Sequence, residues 1–266
     1  SNITDAVLEE QQRWQERPLE SLYSFVFVDC TYVSIKQEIG AKKCAVYVVL
    51  AYNMEGRKEI LGLWIGETEG KHVWMQIFDE LKTRGVKDIL FMSSDGVAGM
   101  EDGAKAIFPS TIFQRCVVHL IRTSLKYVPS KDYKAFTKDL KTVYGAKTLK
   151  SAEAAFERLK QNWSKYPGAV DTWVRNWKYI EQLFHYTSDI RRVMYTTNVI
   201  ESVNSSLKKV VKKGSFANDD AALKILYLRV RELDKKWETG RMRNWSQVRN
   251  QLYIVPEIRG RIEKYI

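Results

Sequence analysis

Cysteine is scarce in this chain: Cys30, Cys44 and Cys116 are the only ones in 266 residues. An odd, scattered set excludes a disulfide framework and points to a reducing, cytoplasmic compartment. No apolar run reaches the roughly 20 residues that a membrane-spanning helix needs, so no membrane partner is expected. The N-terminus, SNITDAVLEEQQRW, has neither a basic lead nor an apolar stretch and does not read as a signal peptide. It also has no initiator Met, so the chain is read as a portion of something longer. Neither an internal repeat nor a low-complexity linker breaks it. What remains is an ordinary globular composition, 45% hydrophobic and 28% charged, which excludes disorder and supplies a sizeable core. Charge is lopsided, with 43 Lys and Arg against 32 Asp and Glu for a net +11. Such an excess favours a polyanionic partner, because neutralising phosphates releases condensed counterions; the competing reading is a basic surface that only keeps the protein soluble.

Residues 1–20 read as a short polar helix ending before Pro18. YSFVFVDCTYV (23–33) is a near-continuous apolar run rich in β-branched and aromatic residues, which suits a strand covered on both faces. Strands follow at 42–52 and 57–65, joined through Asn53-Met54-Glu55-Gly56, a hairpin-type turn. At 71–83 the period becomes helical, with Val73, Trp74, Ile77, Phe78 and Leu81 on one face. A short strand at 88–93, a helix at 99–108, a brief strand at 111–114 and a helix from 116 complete the pattern. Three strands and then crossover units indicate a mixed α/β sheet. Beyond Pro129 strand signals vanish, and 131–144, 148–166, 168–173 and 177–184 read as helices. Further helices are expected at 196–213 and 218–237, the latter capped by Asn218. Residues 240–266 fit either a short strand or a helical tail.

Three carboxylates stand where chemistry could use them. Asp29 interrupts an apolar strand, and a buried ionised Asp is costly unless paired, hydrogen-bonded or bound to a cation. It could equally sit on an edge or end turn. Asp95 directly follows a strand, at the carboxyl end where ligand sites of open α/β sheets collect, though Ser-Asp-Gly is also an ordinary turn. Glu201 lies on a helix whose apolar stripe is Ile200, Val203, Leu207 and Val210. Its polar stripe is Glu201, Asn204/Ser205, Lys208 and Lys212, and a solvated helix Glu is the plain alternative. Together the three match the needs of phosphoryl transfer on a nucleic-acid backbone, which uses two hard cations about 4 Å apart on oxygen ligands. Lys208, Lys209, Lys212 and Lys213, one to three turns beyond Glu201, form a cluster suited to phosphates.

Cys116-x-x-His119 looks like half of a zinc site, but no second closely spaced pair exists, so a buried Cys beside a hydrogen-bonded His is preferred to zinc. Trp163, Trp173 and Trp177 fit core packing, with base stacking as the other use for such rings.

The stretches VDCTYV around Asp29, EILGLWIGETEG, LKTRGVKDILFMSSDGVAGM around Asp95, FPSTIFQRCVVHLIR and YTTNVIESVNSSLKK around Glu201 resemble, in order, the catalytic domain of Mutator-type bacterial insertion-sequence transposases. These belong to the DDE group. The resemblance covers about residues 23–213. It implies an RNase H-like α/β fold: a mixed five-stranded sheet with flanking helices and an all-helical insertion before the final catalytic helix. The implied segments are a helical lead (1–22), the first part of the core (23–129), the insertion (130–190), the last core helices (191–240) and a tail (241–266). It further implies that Asp29, Asp95 and Glu201 bind Mg2+ or Mn2+, that Cys116, His119 and Asn198 support the site, and that Arg122 and the lysine cluster contact DNA. The implied partners are transposon-end and target DNA, with a homodimer assembling on DNA in the cytoplasm at the nucleoid. Two other uses of the same scaffold are a non-catalytic DNA-binding module and a structure-specific nuclease. SSDGVAGM departs from the family, which more often has His after the first Gly and Leu after the second, a difference that leaves the chemistry unchanged. Family members usually carry a DNA-binding region before the catalytic domain; about 20 residues precede the first strand here, so recognition of transposon ends is not assigned to this chain.

Overall fold

A computed structural model describes residues 2–195, 198–211 and 214–266, with backbone alone at 2–4 and 198. The chain forms two compact units, Ser1–Phe113 with Asn198–Ile266, and Gln114–Thr197.

The first unit opens with α1 (Asn2–Glu16), followed by β1 (Leu22–Lys36), β2 (Ala41–Asn53) and β3 (Lys58–Gly66). Then come α2 (Lys71–Thr83), β4 (Asp88–Ser94), α3 (Met100–Ile107) and β5 (Ile112–Arg115), within which the unit boundary falls. Among the described residues these strands make a five-stranded sheet in the order β3-β2-β1-β4-β5. β1 pairs antiparallel with β2 and parallel with β4, and β2 pairs antiparallel with β3, so the sheet is mixed as its element order implied. The continuous apolar run of β1 is explained by cover on both faces: from Leu22 to Asp29 every residue is buried. The strand outlasts that run, because β2 keeps pairing as far as Lys36 opposite Ala41, where exposed and buried residues alternate. β3 is an edge, and an open edge invites pairing with another chain. Gln15 and Arg17 cover it: Leu63 N donates to the Gln15 side-chain oxygen at 3.1 Å, and the Arg17 guanidinium donates to Ile60 O at 2.8 Å.

The hairpin turn between β2 and β3 is held by Asn53, whose side-chain oxygen accepts from the N–H of Glu55 and of Arg57, both at 3.0 Å. Gly56 adopts φ +76°, and the Trp245 ring lies where a Cβ would project, so glycine is required twice over.

After the second unit the chain returns as α10 (Asn198–Val211) and α11 (Asp219–Trp237), the latter capped by Asn218, whose side chain accepts from Ala221 N at 2.9 Å. Residues 240–266 resolve as α12 (Trp245–Ile254) and α13 (Pro256–Tyr265), not a strand. The buried spacing Trp245, Val248, Leu252 and then Ile258, Ile262 is helical, but Pro256 splits it into two short pieces. Arg261 anchors α13 to the start of β4 through two 2.8 Å bonds to Asp88.

The second unit is helical after β5: α4 (Val117–Leu125), α5 (Tyr133–Tyr144), α6 (Leu149–Asn162), α7 (Pro167–Arg175), α8 (Trp177–Leu183) and α9 (Ser188–Tyr195). Trp173 is fully buried with its indole N–H on Ser124 Oγ at 2.8 Å, and Trp163 donates to Asp139 at 2.9 Å. Both rings therefore serve the core, while half-buried Trp177 stacks on Phe156 with centroids 4.5 Å apart. Helix α9 has no counterpart in the sequence reading; its basic face hides the burial of Arg191, which donates to Ala146 O at 3.0 Å.

Candidate active site

Asp29 and Asp95 are brought together by strand register. Val28 pairs with Ser94 in the parallel β1–β4 ladder, so the residue that follows each of them along the chain is an aspartate. Adjacent strands are about 4.8 Å apart, which places the two side chains next to each other. Carboxylate oxygens of Asp29 and Asp95 lie within 4.8 Å of one another. Asp95 sits just past the end of β4, where Gly96 at φ +96° turns the chain and its N–H bonds Ser94 Oγ at 3.1 Å. One Asp95 oxygen, Oδ1, is buried with no hydrogen-bond donor among the described residues. Two acidic oxygens this close repel in a low-dielectric setting, and an orphaned buried oxygen adds a desolvation cost.

Asp29 is only 9% exposed. Its Oδ1 accepts from Cys30 N at 2.8 Å and its Oδ2 from Asn204 Nδ2 at 2.7 Å. Each ionised oxygen has a further lone pair, so these bonds orient the carboxylate without exhausting it.

Asn204 belongs to α10, which packs its stripe of Ile200, Val203 and Leu207 inward. Glu201 precedes Asn204 by three residues, and such positions share a helix face with Cβ atoms about 5–6 Å apart. Fixing Asn204 on Asp29 therefore presents half-buried Glu201 one turn away, in the first turn of α10. The polar stripe of α10 is divided: Asn204 is 5% exposed while Ser205 and Lys208 are exposed; off the stripe, Ser206 is buried with its Oγ accepting from Arg229 at 2.7 Å, and Lys209 is exposed. Asn204 as a partner of Asp29 is the contact that sequence reasoning missed. Its only sequence signal was an Asn three residues after a candidate acid.

Cys116 and His119 lie in the second unit and satisfy each other. Cys116 caps α4, its Sγ accepting from His119 N at 3.3 Å and standing 3.0 Å from His119 Nδ1. All three cysteines are free. Arg122 is exposed on α4. The Asn198 side chain, Lys212 and Lys213 lie outside the described residues.

Comparison with known proteins gives a consistent picture. A profile of the family described as "Transposase, Mutator family" matches residues 1–240. The chain is 41% identical over 258 residues, 96% of its length and 64% of the relative's, to a "Probable transposase for insertion sequence element ISRM3-like" of Sinorhizobium fredii. It is 40% identical over 258 residues, with the same two shares of 96% and 64%, to the "Transposase for insertion sequence element ISRM3" of Rhizobium meliloti. A "Probable transposase for insertion sequence element" of Corynebacterium diphtheriae is 37% identical over 239 residues, 89% of this chain and 70% of that one. The chain thus spans about 64% of the length of the first two curated relatives.

Proposed function

Because this chain belongs to the Mutator family of transposases, we propose that it is the catalytic portion of a DNA transposase, cutting and joining phosphodiesters at a site built on Asp29, Asp95 and Glu201. The observation that carries the proposal is the parallel register that sets Asp29 beside Asp95 with oxygens inside 4.8 Å, while Asn204 ties the Glu201 helix to Asp29. The sheet order, with three antiparallel strands followed by a parallel neighbour of β1, supports an RNase H-like core.

The donor set fits magnesium or manganese: hard oxygen ligands, one of them a buried Asp95 oxygen without a hydrogen-bond donor. When bound, a pair of such cations activates the attacking oxygen and stabilises the leaving oxygen of an in-line displacement. Asp29, Asp95 and Glu201 are the residues that would hold such cations, with Asp29 oriented for it by Asn204 and by the Cys30 N–H. Pinning matters because displacement at phosphorus depends on positioning and charge stabilisation more than on covalent chemistry. The reaction is hydrolytic nicking at a transposon end, followed by attack of the freed 3′-hydroxyl on another phosphodiester. Exposed Lys208 and Lys209, and Arg122 on α4, supply positive charge for the DNA backbone. The setting proposed for this activity is a homodimer assembled on DNA, at the nucleoid in the cytoplasm.

The test is Asp29→Asn and Glu201→Gln in the full-length transposase, assayed for divalent-dependent cleavage and strand transfer. Loss of both activities is expected. Wild-type rates in either variant would remove the basis of the reading, and cleavage without joining in the unaltered protein would mark a nuclease instead.

A further inference from the structure

The bond from Asn204 to Asp29 uses half of the Asn204 side chain and leaves the other half unexplained. An ionised carboxylate only accepts, so the group facing Asp29 Oδ2 at 2.7 Å is the amide nitrogen, and Oδ1 is left over. Asn204 is 5% exposed, and its Oδ1 is buried with no hydrogen-bond donor among the described residues. A buried polar atom in that position is rare in folded proteins and calls for a ligand or an ordered water. The nitrogen and oxygen of one amide are about 2.3 Å apart, so Oδ1 stands no further than about 5 Å from the Asp29 oxygen that Nδ2 holds. Two ligands of one magnesium-type cation, each at about 2.1 Å, are roughly 3–4 Å apart, which lies inside that limit.

Helix position is a second, independent argument. Glu201 precedes Asn204 by three residues on α10, and side chains at that spacing share a face. Pairs of ligands at the same spacing present two atoms to one metal in the carboxylate–histidine helices of di-iron bundles. The strand face beneath is also short of partners. Phe27, Asp29 and Thr31 alternate onto one side of β1, and Ser93 of β4 pairs with Phe27. Thr31 and Ser93 are 1% and 4% exposed, and neither hydroxyl has a hydrogen-bond partner among the described residues. An ion that keeps several of its waters can satisfy such atoms directly and through those waters.

We propose that Asn204 is itself a ligand residue of the cation site: its amide oxygen binds the divalent cation that Asp29 holds, while its N–H orients that carboxylate. This inference rests on the metal reading of Asp29, Asp95 and Glu201. Carbonyl oxygen suits magnesium and manganese as carboxylate does. Being neutral, it fills a coordination position without adding to the repulsion between Asp29 and Asp95, whose oxygens lie within 4.8 Å of one another. It also leaves more of the positive charge of the ion for the phosphate oxygens of DNA.

The experiment is metal titration of the full-length protein without DNA, reading free Mn2+ by electron paramagnetic resonance and bound Cd2+ by its thiolate charge-transfer absorption. Asn204→Ala should weaken Mn2+ binding by about tenfold or more, at least the scale of losing a group that supports a metal ligand. Asn204→Cys exchanges the oxygen for sulfur, which prefers softer ions. It should bind Mn2+ as weakly as Asn204→Ala, yet take up one equivalent of Cd2+ beyond any that the wild type binds, with a matching charge-transfer band. That gain is the readout that an orienting role alone would not produce. If Asn204→Cys shows no gain in Cd2+, the amide oxygen is not a ligand and the proposal is overturned. Asp29→Asn separates the two levels. If it abolishes Mn2+ binding while both Asn204 variants bind as wild type, the Asn204 proposal alone is refuted. If Asp29→Asn also binds Mn2+ as wild type, the metal reading falls and this inference with it.

Discussion

Replacing Asn204 probes how the site is held, and two opposing terms decide the size of the effect. The Asn204 amide donates to an ionised oxygen of Asp29 at 2.7 Å in a setting where both residues are buried. A hydrogen bond to a charged group contributes about 1.5–3 kcal/mol. The same side chain buries its own Oδ1 without a partner among the described residues, and an unsatisfied buried acceptor costs about 1–3 kcal/mol. Asn204→Ala removes both terms, so its stability should fall within about 1 kcal/mol of wild type. Activity should not be spared. Without the Asn204 donor the Asp29 carboxylate loses one of the bonds that orient it, and misplacement of a reacting group by about 1 Å can cost on the order of a hundredfold. Asn204→Asp inverts the balance. It exchanges the donor for a second carboxylate against Asp29, a repulsion of about 4 kcal/mol at 4 Å for an effective dielectric constant near 20. That variant should be destabilised at neutral pH and recover when Mg2+ or Mn2+ is added or when the pH is lowered to protonate one acid. Urea melts give the stability of both variants, and single-turnover cleavage of a transposon-end duplex gives the rate. Wild-type cleavage by Asn204→Ala, together with unchanged stability of Asn204→Asp in metal-free buffer, would refute the orienting role.

Other consequences are independent of that argument. Arg261→Met strands Asp88, which is buried and bonded at 2.8 Å through both carboxylate oxygens, and should cost about 3–5 kcal/mol in urea unfolding, with Asp88→Asn in the same chain restoring part of it. Burial pushes Asp234 up to about 6 from its ordinary 3.8, opposed by Arg17 and reinforced by Glu59. An acid whose folded pKa is raised is most stabilising while protonated, and stability drains as pH rises from the unfolded value through the folded one. Asp234→Asn should therefore raise stability at pH 7.5 by about 1 kcal/mol after allowance for solvent screening, read as a higher melting temperature, and bring no gain at pH 3.5. Gly56→Ala should destabilise by about 2 kcal/mol or more, since it strains a positive φ and drives a methyl into the Trp245 ring; an unchanged melting temperature would contradict the turn geometry. Lys208→Ala with Lys209→Ala should weaken DNA binding uniformly across sequences and lower the magnitude of the log–log salt slope by about 0.9 for each phosphate that is no longer neutralised.

Much of the architecture was legible along the chain because its signals are local. The apolar run of β1, the Asn-Met-Glu-Gly turn and the helical spacing of Trp74, Ile77, Phe78 and Leu81 each state a period or a turn within a few residues. The order of strands and helices then limited the sheet to a mixed one. The tail at 240–266 escaped because Pro256 divides its helical spacing and its two apolar stripes become evident only against β4 and the Gly56 turn. Helix α9 escaped because its buried Arg191 reads as a surface residue until the carbonyls it satisfies are in place.

For the site, residue type and order were enough to single out Asp29, Asp95 and Glu201 as candidates, since a carboxylate inside an apolar strand or at a strand end is conspicuous in one dimension. Their partners were not. Asn204 is 175 residues from Asp29, and nothing local marks it as the donor to that carboxylate. Which polar groups are buried, which lack a donor and which carboxylates share a field are set by pairings between distant segments: the Val28–Ser94 register and the packing of α10 on β1. Sequence carries chemical identity and local period. Desolvation and the charge around a group arise only when the folded chain has excluded water and brought those segments into contact.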